Sequence, residues 1–529
     1  SLAAMVVGTV LRLAALLEGR PLWLDEAMLA LNVMGRSYHE LLMPLDYDQA
    51  APPLFLWLSR WLGTLADGQA LALRIVPLAA GLLLLPTLWW FGKTVFSPAT
   101  GAVATIAAAG SPALIYYSTE FKPYMSDATI TVALLGLAWL VAEAAPGGPR
   151  WWCLFWAGML ALGMSLTAPL ALATAGAILV LRGWRLGQPT RALVAHLGMG
   201  AAWAAAFGVL YHYLVQPAAA NQYLREFWAA EFLRAIPSLH LALYKVGAAL
   251  SLPLPLPAGG IRMAVLLPVV GVLGLLAAHR FGWLRILPWA GTVGVVLVVS
   301  WLELYPIDGR LLLVVAPLSL LVLAAGLVAM VERLRSGPRL RSAAVAAPLL
   351  ALLVWADAPL GRGPGSLDRD PEVLEAVLRR PADAPVYMLT GGAPQYVYYA
   401  TDWSAPHRPR LLWYAREVSS GGRGFRNAEV GAAELALLSP PGHPLEILAP
   451  ASGAVDGRVT PSVAAWADRQ VSGLIDIGAA EIWVYLGPYR ERERPALLAA
   501  LARRGIPWRV LHQSGAESAL VVATGQGRR

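Results

Sequence analysis

Long apolar stretches recur along this chain from the N-terminus to about residue 357, and they limit the possible folds more than any other feature. Most are about 15 to 22 residues long, and a helix needs about 20 apolar residues to cross the hydrocarbon core of a bilayer. Hydrophobic residues make up 57% of the chain and charged residues only 14%, against roughly 25% charged residues in a soluble domain. The sequence therefore predicts a polytopic membrane protein.

We predict about eleven membrane-spanning helices from the length and hydropathy of these stretches. They cover residues 2–17, 70–92, 99–117, 124–143, 151–165, 167–182, 191–214, 261–279, 284–302, 311–331 and 342–357. The first run lacks a small-residue cleavage site, so we expect a retained anchor and not a removed signal peptide. The single cysteine, Cys153, offers neither a disulfide framework nor a cysteine metal site.

The short loops between the predicted spans divide by charge. With a cytoplasmic N-terminus, the inner loops contain Lys93, Arg150, the arginines at 182–191 and 280–285, and the basic run ERLRSGPRLR at 332–341. The outer loops contain LWLDEA, LDYDQAAPP, STEFKPY, NQYLREFWAAE and YPIDGR. Because cytoplasmic loops carry the excess of Lys and Arg, the net charge of +8 indicates membrane orientation. No nucleic-acid partner is expected.

Two segments do not fit this series: the tight turn SLTAP at 165–169, between two short predicted spans, and the apolar residues 238–257. In the long first outer loop, about 20–70, the run APPLFLWLSRWLGTLA is interrupted by Arg60 and is typical of an amphipathic helix at the membrane interface. Residues 238–257 are apolar, but a span there would reverse the side of every later loop. We therefore expect a partly buried segment on the outer face.

The composition changes after about residue 360. The linker GRGPGSLDRDPE is followed by β-rich runs that alternate with helical patterns: PVYMLTGG, YVYYATDW, AEIWVYLGPY, RERERPALLAALARRG and ALVVATG. Such alternation predicts a small α/β domain. We therefore expect an all-α polytopic membrane domain over 1–357 and an α/β domain over 358–529. An odd number of spans makes the second domain extracytoplasmic.

A charged insert interrupts the apolar series at 111–140, SPALIYYSTEFKPYMSDATITVALLGLAWL. It contains Glu120, Lys122 and Asp127, together with three tyrosines, of which Tyr124 is the last. A charge at the bilayer centre costs roughly 2.5 to 3.5 kcal/mol on insertion scales, and tyrosine favours the headgroup level. The insert is therefore predicted to be an outer turn between two helices. It serves either as an interfacial anchor or as part of a functional site.

Two pairs of acidic residues lie in the first outer loop. Asp25 and Glu26 begin an amphipathic helix, where first-turn acids also stabilise the helix through its dipole. Asp46 and Asp48 precede two prolines. An Asp-x-Asp spacing can hold a divalent cation, but in loops it more often makes turns.

Three further polar residues lie at the ends of predicted spans. Asp308 and Arg310 are at the outer end of a late span, and Arg74 begins an early one. An arginine in such a place either extends to the lipid headgroups or turns inward and binds a phosphate with its guanidinium fork.

Together these groups come from at least four loops on one predicted face. A transporter normally keeps its polar groups near the midplane, on broken helices within repeated halves. We find no internal repeat, and the predicted spans carry charge mainly near their ends. The pattern favours a site at the outer surface of the membrane.

Five motifs in this order resemble the polytopic C-type (GT-C) glycosyltransferases, which include the protein O-mannosyltransferases and the bacterial transferase that adds aminoarabinose to lipid A. They are LWLDEA, LDYDQAAPPLFLWLSRW, ALRIVPLAAGLL, YYSTEFKPYMSDA and YPIDGRLLLVVAPL. The resemblance implies a GT-C fold. It also implies transfer of a sugar from a polyprenyl phosphate to an acceptor hydroxyl on the extracytoplasmic face of a bacterial inner membrane.

The resemblance also implies roles for individual residues. The family's first-loop acid corresponds to Asp25, with Glu26 beside it, and its Glu-x-Arg/Lys element corresponds to Glu120 and Lys122. We predict Asp25 and Glu26 as the catalytic residues, with Asp25 as the base for the acceptor hydroxyl, which implies inversion at the anomeric carbon.

Cations near the leaving phosphate would neutralise its developing charge. The candidates for this donor phosphate site are Lys122, Arg310 and Arg74. As further substrate-binding residues we predict Asp46, Asp48, Glu120, Tyr124 and Asp308.

No cofactor is certain, and a divalent cation remains an open alternative. The expected partners are the lipid-linked donor, membrane lipids and an acceptor that is a lipid, a glycan or a protein. Two other classes of protein remain open. One is a membrane transporter or lipid flippase, and the other is an assembly protein whose outer domain binds a partner.

Overall fold

The structure is a computed structural model that describes most of the chain. It covers residues 1–144, 146–216, 222–236, 260–334, 371–381, 383–389, 392–408, 436–437, 446–449, 463–487, 493–514 and 517–524. The predicted span at 342–357 and the segment 238–257 lie outside these residues. The chain forms two compact units. The first comprises Ser1–Gly19, Ala50–Ser59 and Arg74–Gly365, and the second comprises Arg20–Gln49, Arg60–Leu73 and Ser366–Arg529.

The helices and strands are numbered along the described chain. The α-helices are α1 (Leu2–Leu17), α2 (Leu24–Gly35), α3 (Pro53–Leu65), α4 (Ala70–Leu73), α5 (Ile75–Val95), α6 (Pro98–Gly110), α7 (Pro112–Ser118), α8 (Tyr124–Val141), α9 (Pro149–Met164), α10 (Ala168–Arg185), α11 (Thr190–Leu210), α12 (Gln222–Trp228), α13 (Gly260–Phe281), α14 (Leu287–Trp301), α15 (Ala316–Leu334), α16 (Pro371–Leu378), α17 (Ala393–Ala400), α18 (Val463–Asp476) and α19 (Glu493–Arg503). The strands are β1 (Val386–Leu389), β2 (Ala436–Leu437), β3 (Glu446–Ala449), β4 (Glu481–Leu486), β5 (Trp508–Ser514) and β6 (Glu517–Ala523).

Helices occur at every predicted span that lies in the described part of the chain. Those long and apolar enough to cross a membrane are Ile75–Val95, Tyr124–Val141, Thr190–Leu214, Trp283–Trp301 and Ala316–Arg333. The pair α6 and α7 is bent by 66° and adds a sixth candidate if it forms one broken span. Helix α1 and residues 271–281 are shorter apolar helices. The total of about eleven spans therefore stays a prediction.

Small residues allow the central helices of the first unit to pack closely. A Cβ added at Gly92 would lie 2.6 Å from the backbone of Gly101, so α5 and α6 approach with almost no space between them. Ala104 and Ala108, one and two turns farther along α6, are fully buried. Such small residues are typical of helix contacts in membranes, where close van der Waals packing replaces the hydrophobic effect.

The predicted inner loops of the first unit lie near one another. The guanidinium group of Arg182, at the end of α10, pairs with Glu143 after α8. Arg285 donates to the carbonyl of Phe96 between α5 and α6 (3.3 Å). The basic helix ends therefore collect at one end of this unit, as the alternation of loop charges predicted.

The predicted outer loops of the same unit also meet. The backbone N–H of Ile307, in YPIDGR, donates to the carbonyl of Glu231, in NQYLREFWAAE (2.8 Å). The Ser165 hydroxyl, between α9 and α10, donates to Asp127 in the first turn of α8 (2.5 Å). Predicted outer loops that are distant in the sequence thus contact each other, while the membrane side on which they lie stays a prediction.

The C-terminal part of the second unit contains a six-stranded mixed sheet in the order β2-β3-β1-β4-β6-β5. Strand β1 is parallel to β3 and β4, whereas β6 is antiparallel to β4 and β5. Helices α18 and α19 pack apolar residues such as Trp466 and Leu497 into a core with β4 and β6. This agrees with the small α/β domain expected from the alternating pattern.

One run in this domain does not form the secondary structure that its composition favours. YVYYATDW is rich in aromatic residues, as strands are, but most of it lies in helix α17. Pro394 occupies the first turn of that helix, where a missing N–H is tolerated. Tyr396, Val397 and Tyr398 are all buried, so packing on more than one side outweighs the strand propensity.

The boundaries of the second unit differ from the predicted domain limits. It takes in 20–49 and 60–73, most of the first outer loop, along with the α/β domain. The reason is direct contact, since the Tyr398 hydroxyl donates to the carbonyl of Gly68 (2.5 Å) and Arg408 donates to that of Met34 (2.7 Å).

Candidate active site

In the first unit, the turn between α7 and α8 buries its charged side chains. Glu120 is 3% exposed and Lys122 is 6% exposed, and the N–H of Lys122 donates to the carbonyl of Glu120 (2.7 Å). Phe121 between them is fully buried and stacks on Phe55, with ring centroids 5.7 Å apart. An interfacial anchor would keep its charges in contact with water or headgroups. Burial of both side chains therefore favours a functional site.

A second loop, between α14 and the 3-10 segment Gly309–Val314, reaches the same region. Arg310 lies within electrostatic range of Tyr117, which also interacts with Glu120. The rings of Tyr117 and Tyr124 meet edge to face at 5.9 Å. Arg310 is 4.0 Å from the carboxylate of Asp308. The structure therefore brings together four predicted residues of this unit: Glu120, Tyr124, Asp308 and Arg310.

Asp127 is a buried carboxylate beside this group, and the sequence analysis did not assign it a role. Its Oδ1 accepts a hydrogen bond from Ser165, whose hydroxyl lies 3.2 Å from that of Thr167. Tyr305 interacts with Asp127 as well as with Asp308. Burial, followed by the nearby Asp127, raises the pKa of the Tyr305 phenol well above its usual value. The sequence did contain an indication of a functional role for Asp127, because an acidic residue in the first turn of an apolar span is rare.

Two buried arginines belong to the same unit. Arg74, predicted to bind phosphate, is 3% exposed and directly precedes α5. Arg12, within the apolar helix α1, is fully buried. It donates to the carbonyls of Ala108 and Ala109 at the end of α6, and to the Ser118 hydroxyl of α7. Arg12 therefore supplies hydrogen bonds at the break between α6 and α7. Its position within an apolar run is the sequence feature that could have indicated a buried role.

The predicted carboxylates of the first outer loop lie in the second unit. Asp25 is the second residue of α2 and is half-buried. Glu26, the third residue, is 1% exposed, and its Oε2 accepts a hydrogen bond from the N–H of Trp23 (3.1 Å). This contact is the helix N-terminal role expected of first-turn acids. Asp25 and Glu26 thus differ in surroundings despite being adjacent.

Asp46 and Asp48 belong to a short 3-10 segment, Asp46–Asp48. The carboxylate of Asp46 pairs with Arg36 at 2.9 Å, while its N–H donates to the side chain of Asn32 (2.9 Å). Asp48 has a left-handed backbone (φ 54°), as expected for a turn. Among the residues that the structure describes, no three His, Cys, Asp or Glu side chains could together hold a metal ion.

Each unit therefore presents part of the predicted set. The first contains the cations Lys122, Arg310 and Arg74, and the second contains Asp25, Glu26, Asp46 and Asp48. That these residues belong to one site at the outer surface of the membrane stays a prediction.

Comparison with known proteins gives an independent line of evidence. Residues 50–212 match the family model of the dolichyl-phosphate-mannose-protein mannosyltransferases. Among curated proteins, a sequence search gave no match.

Solved structures resemble this chain over 75% to 99% of its length. ArnT from Cupriavidus metallidurans bound to undecaprenyl phosphate has a TM-score of 0.52 at 15% identity, covering 99% of this chain and 98% of that one. Its apo form has a TM-score of 0.47 at 14% identity, with coverage of 98% and 97%. The Archaeoglobus fulgidus oligosaccharyltransferase in complex with Zn and sulfate has a TM-score of 0.44 at 13% identity, with coverage of 75% and 61%.

The first of these structures shows the fold, and the family model covers the helices on both sides of the Glu120–Lys122 turn. The resemblance to the polytopic C-type glycosyltransferases indicated by the ordered motifs is thus confirmed, and this chain has a GT-C fold.

Proposed function

We propose that this protein is an inverting glycosyltransferase that moves a sugar from a polyprenyl-phosphate donor to an acceptor hydroxyl on the extracytoplasmic face of a bacterial inner membrane. One observation carries the proposal. Glu120 and Arg310, from two distant loops, both interact with Tyr117, and Lys122, two residues after Glu120, is buried. Cations at one end of apolar helices, with Lys122 buried and Arg310 half-buried, suit a lipid phosphate, whose chain can remain in the bilayer.

The proposed chemistry needs one base and a cationic site. Asp25 takes the proton from the acceptor hydroxyl, the freed oxygen attacks the anomeric carbon, and the bond to the phosphate oxygen breaks. The lipid phosphate leaves with the electron pair, and Lys122 and Arg310 offset its negative charge. Attack opposite the leaving group inverts the anomeric centre.

Two names among the related proteins support this donor class. The family model is named for dolichyl-phosphate-mannose-dependent transfer to protein, and the Cupriavidus ArnT structure holds undecaprenyl phosphate. Both molecules join a phosphate to a polyprenyl chain.

The test is an assay of the purified protein in lipid nanodiscs with radiolabelled polyprenyl-phosphate sugars. We expect release of free lipid phosphate and labelling of an acceptor. Asp25→Asn should abolish transfer and leave the thermal midpoint unchanged, because the shape is kept and the base is lost. Asp468→Asn is the control, since Asp468 forms an exposed pair with Arg503 and such pairs contribute little. Near-normal turnover by Asp25→Asn would remove Asp25 from the mechanism.

The same assay distinguishes the alternatives. A transporter or flippase would move the labelled lipid between leaflets without breaking its bond to the sugar. A parallel assay with a chelator tests whether a divalent cation is needed. Removal of the metal should stop sugar transfer only if the metal takes part in the reaction.

A further inference from the structure

We propose that helix α17 of the α/β domain positions the catalytic carboxylate, because Gln395 and Tyr399 hold the peptide groups of Leu22 just before the helix that carries Asp25. This inference rests on the proposed function for the role of Asp25, and on the geometry of the second unit alone for the contacts.

Both backbone polar groups of Leu22 are engaged by α17. The N–H of Leu22 donates to the Tyr399 hydroxyl at 2.7 Å, and Gln395 Nε2 donates to the Leu22 carbonyl at 2.9 Å. Leu22 itself is 0% exposed. A buried backbone group that loses its partner is costly, so these two contacts determine where the chain enters α2.

The side chain of Gln395 is itself oriented from the sheet. Its Oε1 accepts a hydrogen bond from the Tyr485 hydroxyl of β4 (3.3 Å), which leaves the amide nitrogen for Leu22. The ring of Tyr485 lies against Gly392 at the start of α17, where an added Cβ would be only 2.6 Å away. Strand β4 pairs with the central strand β1. The support for Leu22 therefore extends into the middle of the sheet.

The opposite end of α2 is held in the same way. Arg408, which follows α17, donates to the carbonyl of Met34 at 2.7 Å, and Arg60 donates to that of Val33 at 2.8 Å. Cations at a helix C-terminus pair with its last carbonyls and with its dipole. Helix α2 is thus held at both ends by side chains from distant parts of the sequence.

The register connects these contacts to the chemistry. Leu22 lies two residues before the start of α2, and Asp25 is the second residue of that helix. Between them, the N–H of Trp23 is bound by Glu26. A catalytic group must be held within about 0.5 Å of its productive position, and misplacement by about 1 Å lowers the rate strongly. The contacts that fix the backbone position of Leu22 therefore also fix the position of Asp25.

Two adjacent tyrosines allow a matched experiment. Tyr399→Phe removes the hydroxyl that binds Leu22, and Tyr398→Phe removes a hydroxyl of the same helix that binds Gly68 instead. We expect Tyr399→Phe to lower kcat about three- to ten-fold, which is the size of effect that the loss of one hydrogen bond can produce. The KM for the lipid donor should not change. Tyr398→Phe should keep the wild-type kcat.

A measurement without substrate tests the contact separately. Hydrogen–deuterium exchange of peptides covering 22–35 should be about three- to ten-fold faster in Tyr399→Phe than in Tyr398→Phe. Gln395→Met, which keeps the length of the side chain and loses its hydrogen bonds, should match Tyr399→Phe in both readouts.

The outcomes separate the two proposals. If the wild type transfers no sugar from any lipid donor, the proposed function fails, and the exchange measurement still decides whether α17 fixes α2. If exchange and kcat stay at wild-type values in Tyr399→Phe and Gln395→Met, the positioning role is wrong. An equal loss of kcat in Tyr398→Phe would also overturn it, because the effect would then be general destabilisation.

Discussion

Burial divides the charged side chains of this protein into two groups. Lys122 and Glu120 are more than nine-tenths buried, whereas Arg280 and Arg379 form exposed pairs with Glu332 and Glu375. An exposed pair contributes little to stability, but a buried charge is costly unless another group compensates for it. That the donor phosphate binds to Lys122 of the α7–α8 turn and to Arg310 is part of the proposed function, and it can be tested residue by residue.

At this scale we predict the effect of removing each cation. Lys122→Ala and Arg310→Ala should each raise the KM for the lipid donor about 10- to 100-fold, because a charge-assisted hydrogen bond contributes roughly 1.5 to 3 kcal/mol. The KM for the acceptor should change much less. Initial rates at varied donor and acceptor concentrations measure both.

Arg280→Ala is the control for these variants, since it removes an exposed arginine paired with Glu332 at a predicted inner helix end. It should leave the donor KM unchanged. Wild-type donor KM values in both Lys122→Ala and Arg310→Ala would show that the phosphate binds elsewhere.

Among the helices, α2 illustrates how adjacent acids take different roles. The carboxylate of Glu26 is bound to the N–H of Trp23, whereas Asp25 is half-buried one position earlier. The sequence Asp-Glu alone does not reveal this difference, because both acids lie in the first turn and both favour the helix dipole.

We predict that Glu26→Ala destabilises the protein by about 1 kcal/mol, which is the usual contribution of a helix N-terminal contact. It should lower the thermal midpoint and leave a measurable part of the transfer rate. Asp25→Asn should show the opposite pattern. A Glu26→Ala variant with normal stability and no activity would place Glu26 in the chemistry.

The break between α6 and α7 is the second feature at the level of elements. Hydropathy predicted one span over 99–117, but the helix is interrupted at Ser111, before Pro112, and bends by 66°. Proline cannot donate to the preceding turn, so carbonyls at the end of α6 need other donors, and Arg12 provides them. Hydropathy measures only how apolar a segment is, so it does not detect such a break.

We predict that Arg12→Met lowers stability by about 2 to 4 kcal/mol, because it leaves buried carbonyls without a donor. The thermal midpoint in nanodiscs measures this loss. Leu13→Met is the control, since Leu13 is the next residue and 40% exposed, and it should change little. A normal midpoint for Arg12→Met would show that the break is stable without Arg12.

For the whole molecule, the charges of the loops between the apolar helices predict the orientation in the membrane. We predict that residue 186 is cytoplasmic and residue 404 extracytoplasmic. In a Cys153→Ala background, a membrane-impermeant maleimide should label Ser404→Cys in intact cells, and Leu186→Cys only after permeabilisation. Both positions are exposed. The reverse labelling would overturn the orientation and the extracytoplasmic site with it.

Local properties of the sequence were enough to predict the apolar helices and a small sheet in the C-terminal region. Hydropathy and charge act over one helix or one loop, so they can be read from neighbouring residues. The contacts that build the site join distant residues instead. Arg12 and Ser118 are 106 positions apart, and Leu22 and Tyr399 are 377 apart. Such pairs form only when packing brings the segments together, because each buried polar group must find a partner and no short-range pattern specifies which one.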